Sequence, residues 1–468
     1  MFYRDLNGAV DLIRVTDLGA PGDFGSGWTG ADDRNTRFAA FIQDRWSINQ
    51  KLSLSLGLRL DQQKPNYKDA VRNPVLAAIF PPTNRAGQDA PGPQTMVVPR
   101  IGISYSPTED GKTVIKGFYG RYYYNFADRM SNLNPGGTNR RDYRFNDLNG
   151  NRLFDGVQEL GVLVSSAGGT STTLDPDLKT PYADEFSLSF ERQFWGESSA
   201  RVAYVRKMTR DEFTTVNISR VGQFTVPTTV NVAIRDYVNG VTSTKTLQVF
   251  DIPDSLRGVV NNVVTNIPDT VGGGDDDFDT VSLGLSKRFP GGLFFQSSFD
   301  YQWRNELRRG DSASTSPLTS DPIATGYNAN GESYIQTVAN RQKSQNWTAR
   351  FLGRYVFPYE VGFGANLRLQ SGWPYARRIA YTLPNAGTAT VFEEDINNNY
   401  SDMVSIVDLR ADKTFSVDRF KFTVLADLFN ALNSNAVTNF NLSNGSQFNR
   451  IIATLDPRTF QLAVRFSF

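Results

Sequence analysis

The sequence predicts an all-β protein in which antiparallel strands form a transmembrane barrel, and three observations favour this fold class. Apolar and polar residues alternate in strand-length segments from residue 36 to the end of the chain, which is the period of a β-strand. Aromatic residues make up 12% of the 468 residues, although hydrophobic residues total only 39%. Short and long connections alternate between the segments, as in barrels with tight turns at one membrane surface and long loops at the other.

The last nine residues show the alternation most clearly. One face of this strand is wholly apolar, which suits lipid, and the other is polar, which suits a wet lumen. A terminal Phe with apolar residues at every second position before it resembles the closing strand of bacterial outer-membrane barrels, so these residues are the predicted signal for the barrel-assembly machinery. They are Phe460, Leu462, Val464, Phe466 and Phe468.

Composition narrows the possible functions. The net charge is +1, with 49 Lys and Arg against 48 Asp and Glu, so bulk charge does not predict a nucleic-acid partner. The chain has no Cys and no His, which excludes catalytic sites and zinc sites built from thiols or imidazoles. Mean hydropathy is −0.39, and no apolar run approaches the roughly 18 residues of a spanning helix. Catalysis by carboxylates alone stays open in principle, but most enzyme classes are excluded, and we expect no catalytic residues and no enzyme activity.

The first predicted strands form a hairpin near the amino terminus. Residues 1–35 are rich in Gly, Asp and Asn and predict a loop. Residues 36–46 and 51–61 predict the first hairpin, because a Leu stands at every second position from Leu52 to Leu60. A helix with this sequence would distribute its leucines around the whole circumference. At eleven residues, the second strand is long enough to cross the apolar band, which takes about 9–11 tilted residues.

Further pairs of strands follow the same pattern. A weaker segment over 376–392 predicts an eleventh strand or additional pairing, and the closing strand at 460–468 brings the total to about fourteen. The other predicted pairs are 99–105 with 113–124, 185–194 with 199–207, 280–289 with 293–303, 347–357 with 361–370, and 405–415 with 420–430.

The connections orient the predicted barrel. Counting back from Phe468 places every short turn on the periplasmic side: 47–50, 106–112, 195–198, 290–292, 358–360 and 416–419. The long connections then become extracellular loops: 62–98, 125–184, 208–279, 304–346, 371–404 and 431–459. Residues 1–35 become the remnant of another extracellular loop. Aromatic residues beside each turn, such as Trp46 and Trp195, predict one interfacial girdle; aromatic residues of an ordinary core are the alternative.

Several segments resemble TonB-dependent outer-membrane receptors, in particular the Oar-like group that carries a carboxypeptidase-regulatory-like domain. They are FIQDRWSINQKLSLSLGLRLD (41–61), PRIGISYSPTEDGKTVIKGFYGRYY (99–123), DPDLKTPYADEFSLSFERQF (175–194), SGWPY (371–375), DLRADKTF (408–415), ADLFNALN (426–433) and DPRTFQLAVRFSF (456–468).

The resemblance implies the C-terminal part of a 22-stranded barrel in the outer membrane of a Gram-negative bacterium. It implies that residues 36–468 are barrel wall and loops, and that the plug domain and TonB box lie outside this sequence. The start of the chain has neither the basic nor the apolar region of a signal peptide. The implied function is active import of a large nutrient, with outer-membrane lipid, lipopolysaccharide and the TonB complex as partners.

The strand phase predicts which charged side chains face the lumen. These groups would bind plug or substrate, or they would form a solvated wall of cross-strand pairs. They are Arg59, Arg100, Lys116, Arg350, Arg354, Arg368, Asp408, Arg410, Asp412, Asp427 and Arg465.

One extracellular connection contains a pattern typical of calcium loops. Its oxygen-bearing side chains are Asp147, Asn149, Asn151, Asp155 and Glu159, and Ca²⁺ takes 6–8 oxygen ligands. Arg152 occupies the usual glycine position, and Glu159 falls one place late. A solvated cluster of turn residues is the alternative. Apart from this calcium ion, the sequence predicts no cofactor.

Other functions remain open at this point. A complete 14-stranded passive channel would show steady ion conductance and have no plug. A surface adhesin or secretion barrel would bind through its loops without uptake. A soluble sugar-binding β protein would stay in solution without detergent.

Overall fold

The structure, a computed structural model, describes residues 2–6, 9–17, 33–67, 70–72, 78–80, 83–85, 87–89, 94–124, 139–167, 172–220, 223–236, 240–257, 259, 261–266, 275–307, 341–392 and 396–467. Strands dominate these ranges. Short 3₁₀ helices lie at Val157–Glu159, Ile218–Arg220, Asp254–Leu256, Pro358–Glu360 and Ile396–Asn398. None of the helices in the described ranges is long and apolar enough to cross a membrane.

Thirteen strands form one antiparallel sheet in which each strand pairs with its neighbours along the chain. We call this sheet the wall. Its strands, numbered in chain order among all strands, are β3 (Asp33–Ser47), β4 (Leu52–Tyr67), β8 (Gln94–Tyr105), β9 (Thr113–Tyr123), β13 (Tyr182–Phe194), β14 (Ser198–Arg210), β19 (Asp276–Arg288), β20 (Leu293–Leu307), β21 (Arg341–Phe357), β22 (Val361–Gln370), β25 (Val404–Val417), β26 (Phe420–Phe429) and β29 (Thr459–Ser467).

The remaining strands lie in the connections. They are β1 (Phe2–Leu6), β2 (Ala9–Asp17), β5 (Ala70–Arg72), β6 (Thr83–Arg85), β7 (Gln88–Asp89), β10 (Asn139–Phe145), β11 (Leu160–Ala167), β12 (Thr172–Leu174), β15 (Phe213–Asn217), β16 (Val226–Asp236), β17 (Gly240–Asp251), β18 (Asn262–Asn266), β23 (Arg378–Leu383), β24 (Gly387–Phe392), β27 (Val437–Phe440) and β28 (Ile451–Thr454).

The register keeps apolar residues together on one face of the wall. Leu283 pairs with Phe299, which pairs with Ala349, and Phe351 pairs with Leu367 on the next strand. Because side chains alternate across a strand, matched registers put every such residue on the same side. Leu283 stays 44% exposed and Phe351 39% exposed to solvent. An apolar surface continuous over thirteen strands is far larger than a soluble monomer exposes, and it suits contact with lipid.

The tight turns carry exposed aromatic side chains at one end of the wall. Trp46, Trp195, Phe357, Tyr359 and Phe415 are all exposed there. Lys287 lies 6.0 Å from the centre of the Trp195 ring and 4.9 Å from that of Phe289. Amphipathic aromatic residues and lysines of this kind favour the membrane–water interface.

Of the two alternatives predicted for 376–392, the eleventh wall strand is wrong and the additional pairing is confirmed. These residues form β23 and β24, which pair with each other outside the wall. Their alternation has another cause: Ile379, Tyr381 and Leu383 are buried against Ile234 and Val249 of β16 and β17. With thirteen wall strands, every tight turn falls at the same end as the close of β29.

The composition of residues 1–35 predicts an irregular loop, but the described part of this segment begins with two strands, β1 and β2. These strands pair with each other, and β2 also pairs with β10. Ile13 and Val15 are fully buried, because the alternating segment Ala9–Asp17 packs against residues far away in sequence. The assignment of this segment to an extracellular loop stays a prediction.

Segments of the long connections form two packed units and, beside them, a three-stranded sheet in the order β12, β18, β15. The first loop module contains β1, β2, β10 and β11 with residues 78–80, around Ile13, Val15, Ile79, Phe80 and Phe145. The second loop module contains β16, β17, β23, β24, β27 and β28, drawn from three different connections. The side of the wall opposite the tight turns therefore carries ordered structure.

Candidate functional site

The polar face of the wall is the first candidate site. The cross-strand register places all eleven side chains that the sequence predicts to face the lumen on this one face. They are Arg59, Arg100, Lys116, Arg350, Arg354, Arg368, Asp408, Arg410, Asp412, Asp427 and Arg465. That this face encloses a lumen stays a prediction.

Several of these charges are paired across strands. Arg354 donates to both oxygens of Asp412, at 2.7 and 2.9 Å. Arg410 donates to both oxygens of Asp427, at 2.5 and 2.8 Å. In each pair the carboxylate is largely buried and the arginine is about half exposed. The first pair joins β21 to β25 across the intervening strand β22, and the second joins the neighbouring strands β25 and β26. Bidentate geometry of this kind fixes the relative positions of the strands.

Two arginines on the same face are arranged differently. Arg350 and Arg368 lie directly opposite each other on β21 and β22, and like charges in such positions repel. The Nε atom of Arg368 is buried and has no hydrogen-bond acceptor in the part of the chain that the structure describes. This part of the wall is therefore favourable for an anionic group.

A hollow on the polar face involves residues that sequence reasoning missed. The cavity is about 530 Å³ and is lined by Gln43, Arg45, Ser55, Gly57, Arg100, Gly102 and Phe118, among others. Gly57 and Gly102 have no side chains and therefore leave the cavity unfilled at their positions. The sequence did not predict that Arg45 lies on the polar face. The apolar residue Phe41 lies on the same face of β3, so the apolar and polar residues of that strand do not alternate regularly. The lining contains two arginines and one carboxylate, that of Asp44, beside an aromatic ring, so its charge balance is positive.

The second loop module is anchored by the SGWPY segment. Trp373 is buried and stacks on Phe440, with 5.0 Å between the ring centres. The Trp373 amide donates to Ser401 Oγ at 3.0 Å, and the Ser401 amide donates to the Trp373 carbonyl at 3.0 Å. A side chain at Gly372 would place its Cβ atom 1.9 Å from the Ser401 carbonyl oxygen. Only glycine fits at this position.

A buried carboxylate connects two hairpins of the same module. Asp251, at the end of β17, accepts hydrogen bonds from the backbone amides of Asn385 at 2.9 Å and Ala386 at 2.8 Å, in the β23–β24 turn. It also accepts from the Ile252 amide at 2.8 Å. The module is therefore held by specific polar contacts as well as by its core.

The structure brings the predicted calcium ligands into one loop. Asp147 accepts from the amides of Gly150 at 2.7 Å and Arg152 at 2.8 Å. Arg152, at the usual glycine position, has the left-handed φ of 63° that this position requires. Glu159 is buried and accepts from the Asp155 amide at 2.7 Å.

The asparagines of this loop face the carboxylate of Asp155. The Nδ2 atoms of Asn149 and Asn151 donate to Asp155 Oδ2 at 2.5 and 2.6 Å. Within the described ranges, no group of three or more His, Cys, Asp or Glu side chains has the geometry of a metal site. Calcium binding would therefore need both amides to turn their oxygens inward, and it stays a prediction.

The closing strand has the predicted phase. Phe460, Leu462, Val464 and Phe466 lie on the apolar face, each opposite an apolar residue of β26, and Phe468 lies outside the described residues. No contact in the structure bears on recognition by the assembly machinery, so that role stays a prediction.

Comparison with known proteins agrees with this architecture. The family model described as "Outer membrane beta barrel domain" matches residues 16–373. No curated protein matches the sequence.

Similar solved structures include two transporters and one receptor. The transporter YddB from Escherichia coli is 14% identical (TM-score 0.46), with 92% of this chain and 54% of that chain covered. The siderophore receptor PiuA from Acinetobacter baumannii is 12% identical (TM-score 0.47; 93% and 43%). The iron transporter FrpB from Neisseria meningitidis is 13% identical (TM-score 0.46; 93% and 46%). The chain spans about half the length of these structures.

Proposed function

Because the chain belongs to the outer membrane beta barrel domain family, we propose that it forms part of the wall of a TonB-dependent receptor that imports a large nutrient across the bacterial outer membrane. The resemblance of seven segments to that receptor group supports the proposal, as do the deep loop modules above the wall. Thirteen strands with a charged polar face provide the wall of a wide, wet lumen.

The unpaired edge strands of the wall are the observation that supports the proposal most directly. Within the described residues, β3 and β29 each pair with one wall neighbour and not with each other. Leu462 and Val464 on β29 are 66% and 69% exposed, well above Leu283 in the middle of the wall. An unpaired strand edge in lipid costs several kcal/mol for each unsatisfied backbone group. Both edges therefore need partner strands, which a larger barrel would provide.

The proposed mechanism needs no covalent chemistry. The loop modules capture the ligand, and a plug seated against the polar face prevents free leakage. Arg350 and Arg368, which have no ion-pair partner among the described residues, would hold acidic groups of the plug or of the ligand, together with the hollow that Arg45 and Arg100 line. The TonB complex would pull on the plug, using energy supplied at the inner membrane.

The size of the native polypeptide tests the proposal first. An antibody against residues 139–167 would be used on outer-membrane fractions of the source bacterium. We expect a species far larger than 52.1 kDa, since the remaining strands and the plug need additional chain. A heat-modifiable species at 52.1 kDa would instead support a smaller, self-contained channel.

Energised uptake tests the function itself. Strains lacking this protein and strains lacking TonB would be compared for growth on a panel of limiting nutrients. We expect a nutrient-specific defect shared by both strains, and restoration by the native gene. Steady ion conductance of the purified protein in planar bilayers, without dependence on TonB, would contradict import by a plugged receptor.

A further inference from the structure

The polar face of the wall is covered at the end opposite the tight turns. On β8, Met96 and Val98 lie on this face in line with Arg100, yet they are only 2% and 6% exposed to solvent. Val97, between them on the apolar face, is 46% exposed. Arg100 is exposed, so the cover ends between Val98 and Arg100.

Neighbouring strands are covered on the same face and at the same end. Gln63 on β4, Ala183 on β13 and Thr209 on β14 are all buried there. A polar face that bordered only water would leave these positions accessible. Part of the chain therefore folds inward over the polar face.

Hydrogen bonds identify one segment of this cover. Residues 175–181, which we call the strap, connect β12 to β13. Gln94 lies on the polar face, one position nearer the loop end than Met96. Its Nε2 atom donates to the Leu178 carbonyl at 3.1 Å, and its Oε1 atom accepts from the Thr180 hydroxyl at 2.8 Å. The strap therefore crosses the polar face.

The strap is also bound to β18, which pairs with β12 and β15. Asn266 accepts from the Lys179 amide at 2.8 Å and donates to the Lys179 carbonyl at 2.9 Å. The Asp175 amide donates to the Val264 carbonyl at 2.9 Å, and the Asp175 carboxylate accepts from the Thr265 hydroxyl at 2.5 Å. Segments that open easily have few buried contacts of this kind, so the strap is a fixed element.

We propose that the strap is a permanent constriction, which limits by size the solutes that pass from the loop side to the hollow lined by Arg45 and Arg100. Leu178 and Thr180 are buried, whereas Asp177 and Lys179, which alternate with them, are exposed and border the passage. The constriction rests on the proposed function in one respect, that the wall encloses a lumen. Since the strap is held without a ligand, the size limit operates without ligand and without TonB.

Thiol reactivity of the purified chain tests whether the cover exists in solution. The chain has no Cys, so one introduced thiol reports one position. We expect M96C to react with a small maleimide about tenfold more slowly than R100C, because its thiol is reached only when the cover opens. Adding Q94A and T180A to M96C should remove most of this difference. Q62A is the matched control, because Gln62 donates to Thr95 on the opposite face of the wall.

Labelling of intact cells tests the size limit. R100C in the native polypeptide would be exposed to a small maleimide and to one that carries a polyethylene glycol chain. We expect only the small reagent to react, and both to react once Q94A and T180A are added. The same pattern in a strain lacking TonB would separate the constriction from energised import, so a failure of import leaves this test unaffected.

Two results would overturn the proposal. Equal reaction rates of M96C and R100C in the purified chain would show that the polar face is open at its loop end. An unchanged size limit after addition of Q94A and T180A would assign the limit to another part of the molecule. If the variant with both substitutions fails to fold, N266A releases the strap from β18 without altering the wall, and the same comparisons apply.

Discussion

At the scale of single residues, Gly372 shows how one backbone position holds a loop module together. An alanine there would place its Cβ atom 1.9 Å from the Ser401 carbonyl oxygen, so one of the two backbones must move. We expect G372A to separate residues 371–375 from 399–401 and to expose the second loop module to protease, while the wall stays folded.

Limited proteolysis of G372A in detergent measures this effect. Gly353→Ala is the matched control, because the nearest atom to its Cβ would lie at 4.0 Å. Equal cleavage of the two variants would show that the contact between Gly372 and Ser401 does not matter for the module.

Asp211, directly after β14, makes the loop side sensitive to pH. Burial raises the pKa of this carboxyl above its ordinary value, with Lys179 acting in the opposite direction. The folded state therefore disfavours the charged form, and this destabilisation sets in as the pH rises from the unfolded-state pKa, about 3.9, through the higher folded-state pKa. At pH values below this range, the Asp211 carboxyl is protonated in both states and does not destabilise the folded state.

We expect D211N to remove this part of the pH dependence. Asn is neutral, and it tolerates the left-handed φ of 57° at this position. Hydrogen exchange of residues 211–217 in the native chain and in D211N, from pH 3.5 to 7, measures the change in local stability. Parallel pH profiles for the two chains would refute the role of Asp211.

At the scale of single elements, β29 shows that strand phase decides which substitutions the membrane tolerates. Leu462 lies on the apolar face and its neighbour Ala463 on the polar face. A lipid-facing arginine costs about 2–4 kcal/mol near the bilayer centre, whereas a lumen-facing one is solvated. We expect L462R to reduce insertion into the outer membrane strongly and A463R to leave it nearly unchanged.

The heat-modifiable fraction in outer-membrane preparations measures insertion of both variants. The pair is well matched, because the two positions are adjacent and receive the same side chain. A similar loss in both would mean that β29 does not separate lipid from a wet lumen.

The loop from Asp147 to Glu159 tests the calcium prediction. A calcium loop at these residues would bind Ca²⁺ with a Kd of about 10⁻⁴–10⁻³ M, the range of extracellular calcium modules, whereas a solvated turn would bind none. E159Q should abolish binding, since it removes the buried carboxylate. D254N, which changes an exposed carboxylate in another loop, should not. Calorimetric titration measures the three proteins, and no heat of binding from the native chain would favour the solvated turn.

At the scale of the whole molecule, three connections distant in sequence share one core. Leu383 is buried with Ile234 and Val249, so the β23–β24 hairpin and the β16–β17 hairpin depend on each other. Truncating a buried leucine costs about 2–5 kcal/mol. We expect L383A to increase hydrogen exchange in residues 226–251, more than 130 positions away, and to leave 182–194 protected.

Hydrogen exchange with mass-spectrometric detection follows both regions in one experiment. L432A is the control, because Leu432 is exposed and its truncation opens no cavity. If exchange in L383A rises only within 378–392, the second loop module is not one cooperative unit.

The sequence predicted the wall almost completely. Alternation in the segment from Leu52 to Leu60, and again from Phe460 onward, depends only on the neighbours of each residue along one strand. It therefore determined the strands, their phase and the face on which Arg350 or Asp412 lies. The same alternation over 376–392 predicted a wall strand wrongly, since alternation reports a buried face without saying what covers it.

The tertiary structure decided everything that depends on contacts between distant segments. The burial of Ile13 against Phe80, the stacking of Trp373 on Phe440 and the number of wall strands all came from such contacts. Strand phase is a local property that one-dimensional periodicity records, whereas the packing of long loops depends on which surfaces meet in space.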